Sequence, residues 1–333
     1  IDDFKIHIVC NYILNELEVE MALDKDELLD TLNSVTSIPV IPFRQGAIDY
    51  DAHGKNINYL MENNHLDGGR RRVIGIAGTS LIHHISADDQ VQLMGFTGKQ
   101  MGGKGLLMAG IAPNPIGEAE RLIEREAALE YPPDVFLIMP LTGVGNAEGL
   151  FAYYMDMAER LGRSCGAKLL YYLRSQAELD IAVRLMNESE HFVGLKIGTT
   201  VDDVEPIVAG VKEGAALVIW GVGDRSTGPA RRGSKGHTSG INVAFVRASD
   251  EINNAQRRGD FEASQRVEDE IAAFEDIRFR NGRMYNYSAV VEAMHLGGFD
   301  DVAGGEGGPF NPRVPTAVAD EVAVAIEGLL KYH

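Results

Sequence analysis

The chain has 333 residues, 45% hydrophobic and 24% charged, the balance of a globular protein able to bury a substantial core as one large domain or two small ones. Its formal net charge of −18 sets the surface against nucleic acid and anionic membrane, so neither is expected as a partner. No stretch reaches the roughly 18–20 apolar residues that span a bilayer, and two cysteines, Cys10 and Cys165, fit a reducing cytoplasm rather than a disulfide framework.

The first residues, Ile-Asp-Asp-Phe-Lys, lack the basic start and long apolar run of a signal peptide. Met21 would be a natural start, with residues 1–20 an extension, and a lead-in helix is expected before residue 34. From Ser37 the text alternates between short apolar runs and amphipathic stretches. Strands are expected at 37–43, 73–78, 105–111, 134–140, 167–172, 192–198, 216–221 and 236–242. They are rich in Val, Ile and Leu and continuous rather than alternating, which is how strands buried on both faces of a parallel sheet look. Helices are expected between them, at about 50–64, 88–97, 117–129, 147–161, 175–187 and 201–213. Two of their starts are marked by capping residues, in Ser86-Ala-Asp-Asp and Thr200-Val-Asp-Asp.

Repeated strand–helix pairs mean right-handed crossovers and a parallel sheet, and eight strands suggest a (β/α)8 TIM barrel over 35–244. The rival, an open doubly wound sheet, lacks a dinucleotide fingerprint after its first strand. After Val243 the chain reads as helical, a C-terminal region of 245–333. Val267, Ile271 and Phe274 fall at i, i+4 and i+7, and further helices are expected at 284–296 and 316–331 around a glycine-proline loop.

Four motifs invite chemistry. Gly69-Arg70-Arg71-Arg72 reads as a solvated turn or a subunit contact. "GKQMGGKG" at 98–105 nearly spells a phosphate-binding loop, but it ends on Gly105 where a magnesium-binding hydroxyl belongs, and a strand follows it instead of preceding it. His83-His84 has no third ligand at metal spacing, so a surface or pocket-lining role is expected and no metal.

Lys196, in "FVGLKIGTTVDD", is different. Lysine is rarely fully buried, since losing hydration destabilises its charged form. It either snorkels out or pairs with an acid such as Asp202, or it serves as a neutral nucleophile. Half-neutral amine at pH 7 needs a fall of about 3.4 pH units from about 10.4, or about 4.6 kcal/mol, within reach of an apolar site. Such an amine condenses with ketones to a Schiff base, and catalytic groups gather at the C-terminal strand ends of a barrel.

Taken together, "IPVIPF", "IAGTS", "LLYY", "GLKIG", "GVGDRS" and "GHTSGINVAF" stand in an order and spacing that resembles the dihydrodipicolinate synthase / N-acetylneuraminate lyase family of Schiff-base aldolases, over about residues 35–330. The resemblance implies a TIM barrel with a C-terminal helical extension, usually a homotetramer, and a lyase needing no cofactor. It implies that Lys196 forms an imine with pyruvate or another 2-oxo acid. Tyr171, the first tyrosine of "LLYY", matches the family tyrosine that assists proton transfer. Gly78, Thr79 and Ser80 fall where the family holds the 2-oxo acid carboxylate.

There are departures. Thr142 stands where the synthase has a second tyrosine, and Ser175-Gln176 replaces a Ser-Arg pair, with Arg174 nearby on a different face. Asp224, Arg225, Thr238 and Ser239 are expected near the barrel mouth, able to bind a hydroxylated or carboxylated tail. That set resembles the sugar-acid dehydratase and aldolase branches, such as the 5-dehydro-4-deoxyglucarate dehydratases. The expected function is aldol cleavage, condensation or dehydration of a sugar-acid-like substrate through Lys196, with Tyr171 and Thr142 moving the proton. The alternatives are 4-hydroxy-tetrahydrodipicolinate synthase proper, a homologue that binds a 2-oxo acid without turnover, and an unrelated barrel enzyme in which Lys196 is structural.

Overall fold

The computed structural model describes residues 23–333; residues 1–22, and with them Cys10, Met21 and the expected 1–20 extension, lie outside the described residues. Eight strands close into one parallel barrel: β1 (Val35–Ser37), β2 (Val73–Ile76), β3 (Leu106–Ile111), β4 (Val135–Ile138), β5 (Leu169–Leu173), β6 (Phe192–Ile197), β7 (Leu217–Trp220) and β8 (His237–Ser239). Each pairs with its sequence neighbour, and β1 closes on β8 through Val35 opposite His237 and Ser37 opposite Ser239. The (β/α)8 architecture expected from the alternation is therefore the one observed. The first and last strands are shorter than their apolar text. Pro39 and Pro42 have no N–H for a ladder, so β1 stops at Ser37 instead of running to residue 43.

The helices are α1 (Lys25–Leu32), α2 (Tyr50–Glu62), α3 (Ala87–Met101), α4 (Ile116–Ala127), α5 (Ala147–Cys165), α6 (Leu179–Glu188), α7 (Val204–Gly210) and α8 (Thr227–Arg231) around the barrel. They are followed by α9 (Val246–Arg257), α10 (Phe261–Arg283), α11 (Ser288–Leu296) and α12 (Thr316–Ile326). Ser86 and Thr200 both form capping boxes, with Asp89 and Asp203. The phosphate-loop lookalike at 98–105 is the end of α3: Gly102, with φ +57°, caps the helix and the chain turns directly into β3. In the C-terminal block Ile271 and Phe274 are fully buried, and the Tyr287 hydroxyl donates to the Ile41 carbonyl at 2.7 Å, tying the block to the barrel mouth.

The arginine cluster is not a solvated turn. Arg72 is buried and bonds both carboxylate oxygens of Asp250 on α9 at 2.7 Å, while Arg70 donates to Asn253 and Asn254. The cluster fastens the start of β2 to the C-terminal block, because a guanidinium entering an apolar layer needs all its hydrogen-bond acceptors there.

One buried group works against the fold. Glu126, on α4, finds no hydrogen-bond donor among the described residues, since neighbouring Gln90 donates to the Gly110 carbonyl at 2.8 Å. Burial pushes its carboxyl from 4.5 to about 8. A raised folded-state value means that the unfolded chain loses this proton first, so stability falls as pH climbs from 4.5 towards 8. Glu126→Leu is expected to raise stability by about 2 kcal/mol at pH 7 and by almost nothing at pH 4.5, read by urea unfolding at the two pH values. An equal gain at both would show that the carboxyl is not the cause.

Candidate active site

Register decides which side chains reach the barrel interior. In β6 Lys196 pairs with Tyr172 of β5 on one side and Ile219 of β7 on the other, whereas Tyr171 pairs with Leu195. Paired residues on neighbouring strands point to the same face, and successive residues to opposite faces. Lys196 and Tyr172 therefore face inward together, and Tyr171 faces out towards the helices. Room for the lysine is made by Gly221, where an added Cβ would sit 2.8 Å from both Cγ and Cε of Lys196. Gly198 does the same for the phenol, since a Cβ there would meet the Tyr172 ring.

Lys196 is 6% exposed, and its Nζ lies 4.2 Å from the centre of the Tyr172 ring. Asp202, the acid considered as its partner from the sequence, is bonded instead to Arg232 at 3.0 Å. The ammonium is held below the ordinary lysine value chiefly by burial; Tyr172 opposes this, and Arg283 and Arg174 add to it. Burial pushes the Tyr172 phenol up, but Lys196, Arg174 and Arg283 outweigh it and hold the phenol down at about 8. Arg174 Nη1 donates to the Tyr172 hydroxyl at 3.2 Å. A buried amine whose charged form is disfavoured and an acidified phenol thus share one cavity of about 250 Å3.

The expected Tyr171 is not at this cavity. Its hydroxyl donates to Glu178 at 2.8 Å, and its ring packs edge-on against Tyr154 and Phe192. Tyr172 takes the position by the lysine, because the pairing of β5 with β6 slips by one residue between Leu169 and Leu170. Thr142 is also elsewhere: it is exposed, and its N–H and hydroxyl bond Asn114 at 3.0 and 3.1 Å.

Gly78 and Thr79 do line the cavity, on a single 3-10 turn. Within it the Ser80 and Leu81 N–H groups bond the Ala77 and Gly78 carbonyls, whereas the first N–H groups of such a turn have no partner inside it. Ser80 is buried away from the cavity, and its hydroxyl donates to the Pro39 carbonyl at 2.7 Å, which pins the turn.

Thr238 and Ser239 line the cavity too, but Asp224 and Arg225 do not. Asp224 is fully buried and accepts from Ser239 Oγ at 2.7 Å with His237 Nε2 at 3.2 Å, so it positions Ser239 instead of facing a ligand. Arg225 turns outward to Asp276 and the Ala272 carbonyl of α10. Gln176, at the site of the Ser-Arg departure, donates to the Asp203 carboxylate. Arg174 stands two residues after Tyr172 and so shares its inward face, against the expectation that it lay on another one.

Sequence reasoning missed the cavity wall contributed by the C-terminal block: Arg278, Phe279, Arg283, Asn286 and Tyr287. These residues flank the break in α10, where the backbone leaves helical geometry at Arg280, and no strand-end motif announces them. Arg278 is buried against Glu275 and donates to Asn286 at 2.7 Å. The Glu275 carboxyl is pushed up by burial, with Arg278 opposing and the charge of Asp224 adding to the rise. His84, by contrast, reaches the cavity as one of its expected alternatives, its ring 5.2 Å from Phe310. A second, open groove of about 690 Å3 between α10 and α12 lies away from Lys196.

Among the described residues no cluster of three His, Cys, Asp or Glu could hold a metal ion, and no helix is long and apolar enough to cross a membrane. The barrel superposes on dihydrodipicolinate synthase from Bacillus clausii with a TM-score of 0.80 at 23% identity, covering 90% of this chain and 98% of that one. It also superposes on a monomeric dihydrodipicolinate synthase variant, with a TM-score of 0.78 at 17% identity over 90% of this chain and 97% of that one. In sequence it is 24% identical over 235 residues to 4-hydroxy-tetrahydrodipicolinate synthase of Aquifex aeolicus, covering 68% of this chain and 76% of the relative. The dihydrodipicolinate synthetase family model matches residues 31–306, and the chain belongs to that family.

Proposed function

We propose that this lyase of the dihydrodipicolinate synthetase family captures a 2-oxo acid, pyruvate in the simplest case, as an imine on Lys196 and makes or breaks a bond at the adjacent carbon. The observation that carries this reading is Lys196 itself: buried, held below its ordinary value, and opening beside Tyr172 onto a cavity with no carboxylate in its wall.

The neutral Nζ adds to the ketone carbon while the carbonyl electron pair moves to oxygen. The amine passes one proton to that oxygen and Tyr172 supplies a second, so water leaves and a protonated imine remains. Loss of a proton or a carbon substituent from C3 then sends its electron pair into the imine, giving the enamine. The Gly78–Thr79 turn holds the acid's carboxylate with backbone N–H groups, an anion site needing no basic side chain. The electron sink is the lysine imine, and a sugar-acid-like substrate is the class assigned. The synthase reaction proper is the weaker reading, because Thr142 is outside the cavity and Gln176 is occupied by Asp203. Homotetrameric assembly and a cytoplasmic location belong to this proposal, the first testable by light scattering.

Deuterium exchange at C3 of pyruvate in D2O, followed by NMR, tests the reading without knowledge of the second substrate. Exchange is expected to rise with pH as Lys196 loses its proton and to fall above about 8, as Tyr172 loses the one it must supply. Absence of exchange at every pH would leave a protein that binds without turnover or one unrelated to 2-oxo acids.

A further inference from the structure

The barrel and the C-terminal block both contribute uncharged polar groups to the cavity wall. The barrel supplies Thr79, Thr238 and Ser239, and the C-terminal block supplies two amides, Asn286 and Asn311. Ser239 Oγ is already engaged by Asp224, Ser249 and the Asn242 N–H. Each amide, by contrast, uses only one half of its side chain on the protein. Asn286 Oδ1 accepts from buried Arg278 at 2.7 Å; a guanidinium can only donate, so the NH2 of Asn286 is the half with no partner among the described residues. Asn311 Nδ2 donates to the Pro309 carbonyl at 2.9 Å; a carbonyl can only accept, so here the amide oxygen is the half with none among the described residues. Both side chains are half-buried.

Both amides are held in place. Asn311 lies in a short hairpin, Gly307–Gly308 paired with Asn311–Pro312. Its base is tied to the barrel mouth, where the Glu306 N–H donates to the Phe43 carbonyl and the Glu306 carboxylate accepts from the Gln45 N–H, both at 2.8 Å. Gly308 lies so close to the barrel that an added Cβ would meet Leu81 at 2.5 Å, one residue beyond the Gly78–Ser80 turn. Past Asn311, Arg313 bonds both carboxylate oxygens of Glu292 at 2.7 and 2.8 Å. Phe310, immediately before Asn311, holds a φ of +58°, which costs a non-glycine residue about 1–3 kcal/mol and persists where the surroundings impose it. Asn286 is fixed through Arg278, which Glu275 anchors behind the wall.

We infer that Asn286 and Asn311 read hydroxyl groups on the substrate beyond C3, so that the C-terminal block selects hydroxylated 2-oxo acids over their plain counterparts. The inference rests on the imine reading above and assigns residues to its substrate class. A hydroxyl both donates and accepts, and these two amides present one NH2 donor and one carbonyl acceptor to it, with no aspartate or glutamate in the wall to compete. An unsubstituted carbon chain would cover both groups without answering either, the asymmetry by which polar sites reject an analogue lacking its hydroxyl. At about 250 Å3 the cavity falls below the roughly 300–1,000 Å3 of sites for drug-sized ligands, which suits an acid of a few carbons.

The test is borohydride trapping of the intact chain, titrated separately with three six-carbon monoanions: 2-oxohexanoate, 4-hydroxy-2-oxohexanoate and 2-oxo-3-deoxygluconate. Concentrations are expressed as open-chain ketone, and adducts of the whole acid and of the fragment left by cleavage between C3 and C4 are counted together. At least one hydroxylated acid is expected to reach half-trapping at a concentration at least tenfold below that of 2-oxohexanoate. Asn286→Ala and Asn311→Ala should each bring that ratio towards one, whereas a merely structural loss weakens trapping of all three acids alike and leaves the ratio in place. Equal half-trapping of the three acids by the unaltered protein, or tighter capture of 2-oxohexanoate, overturns the inference while leaving imine chemistry standing; so does a ratio unmoved by either variant. No adduct with any acid, pyruvate included, overturns the imine reading and this inference with it. The ligand series on the unaltered protein decides the matter even if a variant fails to fold.

Discussion

Lys196→Met is expected to reduce C3 exchange and every downstream turnover to the uncatalysed background, with the fold intact. Methionine is unbranched and apolar, and it fills the slot opened by Gly221 without leaving a charge to desolvate. Only the nucleophile is lost, and no other lysine lines the cavity. Tyr172→Phe keeps the amine and removes the proton carrier, so exchange should fall by about 10²–10⁴. It also removes the influence that raises Lys196, so the acidic limb of the pH profile should move to lower pH while the alkaline limb near 8 disappears. Tyr171→Phe is the discriminating control. It deletes the bond to Glu178, worth about 1 kcal/mol of stability, and leaves the exchange rate alone. A larger rate loss in Tyr171→Phe than in Tyr172→Phe would contradict the register described above.

The largest expected effect on stability comes from Asp250→Ala. Arg72 and Asp250 are both fully buried, and the guanidinium also reaches the carbonyls of Leu60 at 3.2 Å and Asn63 at 3.3 Å. Removing the carboxylate leaves a desolvated guanidinium without its counter-charge, and strips the His65 N–H of its acceptor. The cost should be about 3–5 kcal/mol in urea unfolding, a large share of the 5–15 kcal/mol that holds a typical domain together. The double variant Arg72→Met, Asp250→Leu should recover most of it, since a well-packed apolar pair of similar volume can replace a buried ion pair. A loss below about 1 kcal/mol would mean that the cluster is solvated after all.

The barrel was legible because strands buried on both faces leave a continuous apolar signature that capped amphipathic helices interrupt. Lys196 was legible for the same reason, as one polar residue in such a run. The neighbouring tyrosine was not. "LLYY" offers two candidates one residue apart, and with a side-chain period of two a single slip exchanges inside for outside. That slip occurs between Leu169 and Leu170, a matter of pairing with β6 that the text of β5 alone does not contain. The same alternation turns Arg174, just past the end of β5, towards the cavity, where its side chain stays exposed.

Asp224 and Arg225 illustrate a different limit. Both stand in a loop at the barrel mouth, but the arrival of α10 decides their directions: Asp276 and Ala272 draw Arg225 outward, and Ser239 and His237 bury Asp224. Arg278 and Arg283 come from the helix itself, more than 80 residues after Lys196, and only tertiary packing brings them to it. Thr142 was placed by its offset from β4, and its bonds to Asn114 hold it away.

Everything proposed here depends on an amine at one strand end that stays uncharged often enough to attack a ketone. The most direct measurement is reduction of the protein with borohydride in the presence of pyruvate, followed by proteolysis and mass spectrometry of the modified peptide. A single stable adduct, carried by Lys196 and absent when pyruvate is omitted, is the predicted result; an unmodified chain, or an adduct on a different lysine, would contradict it.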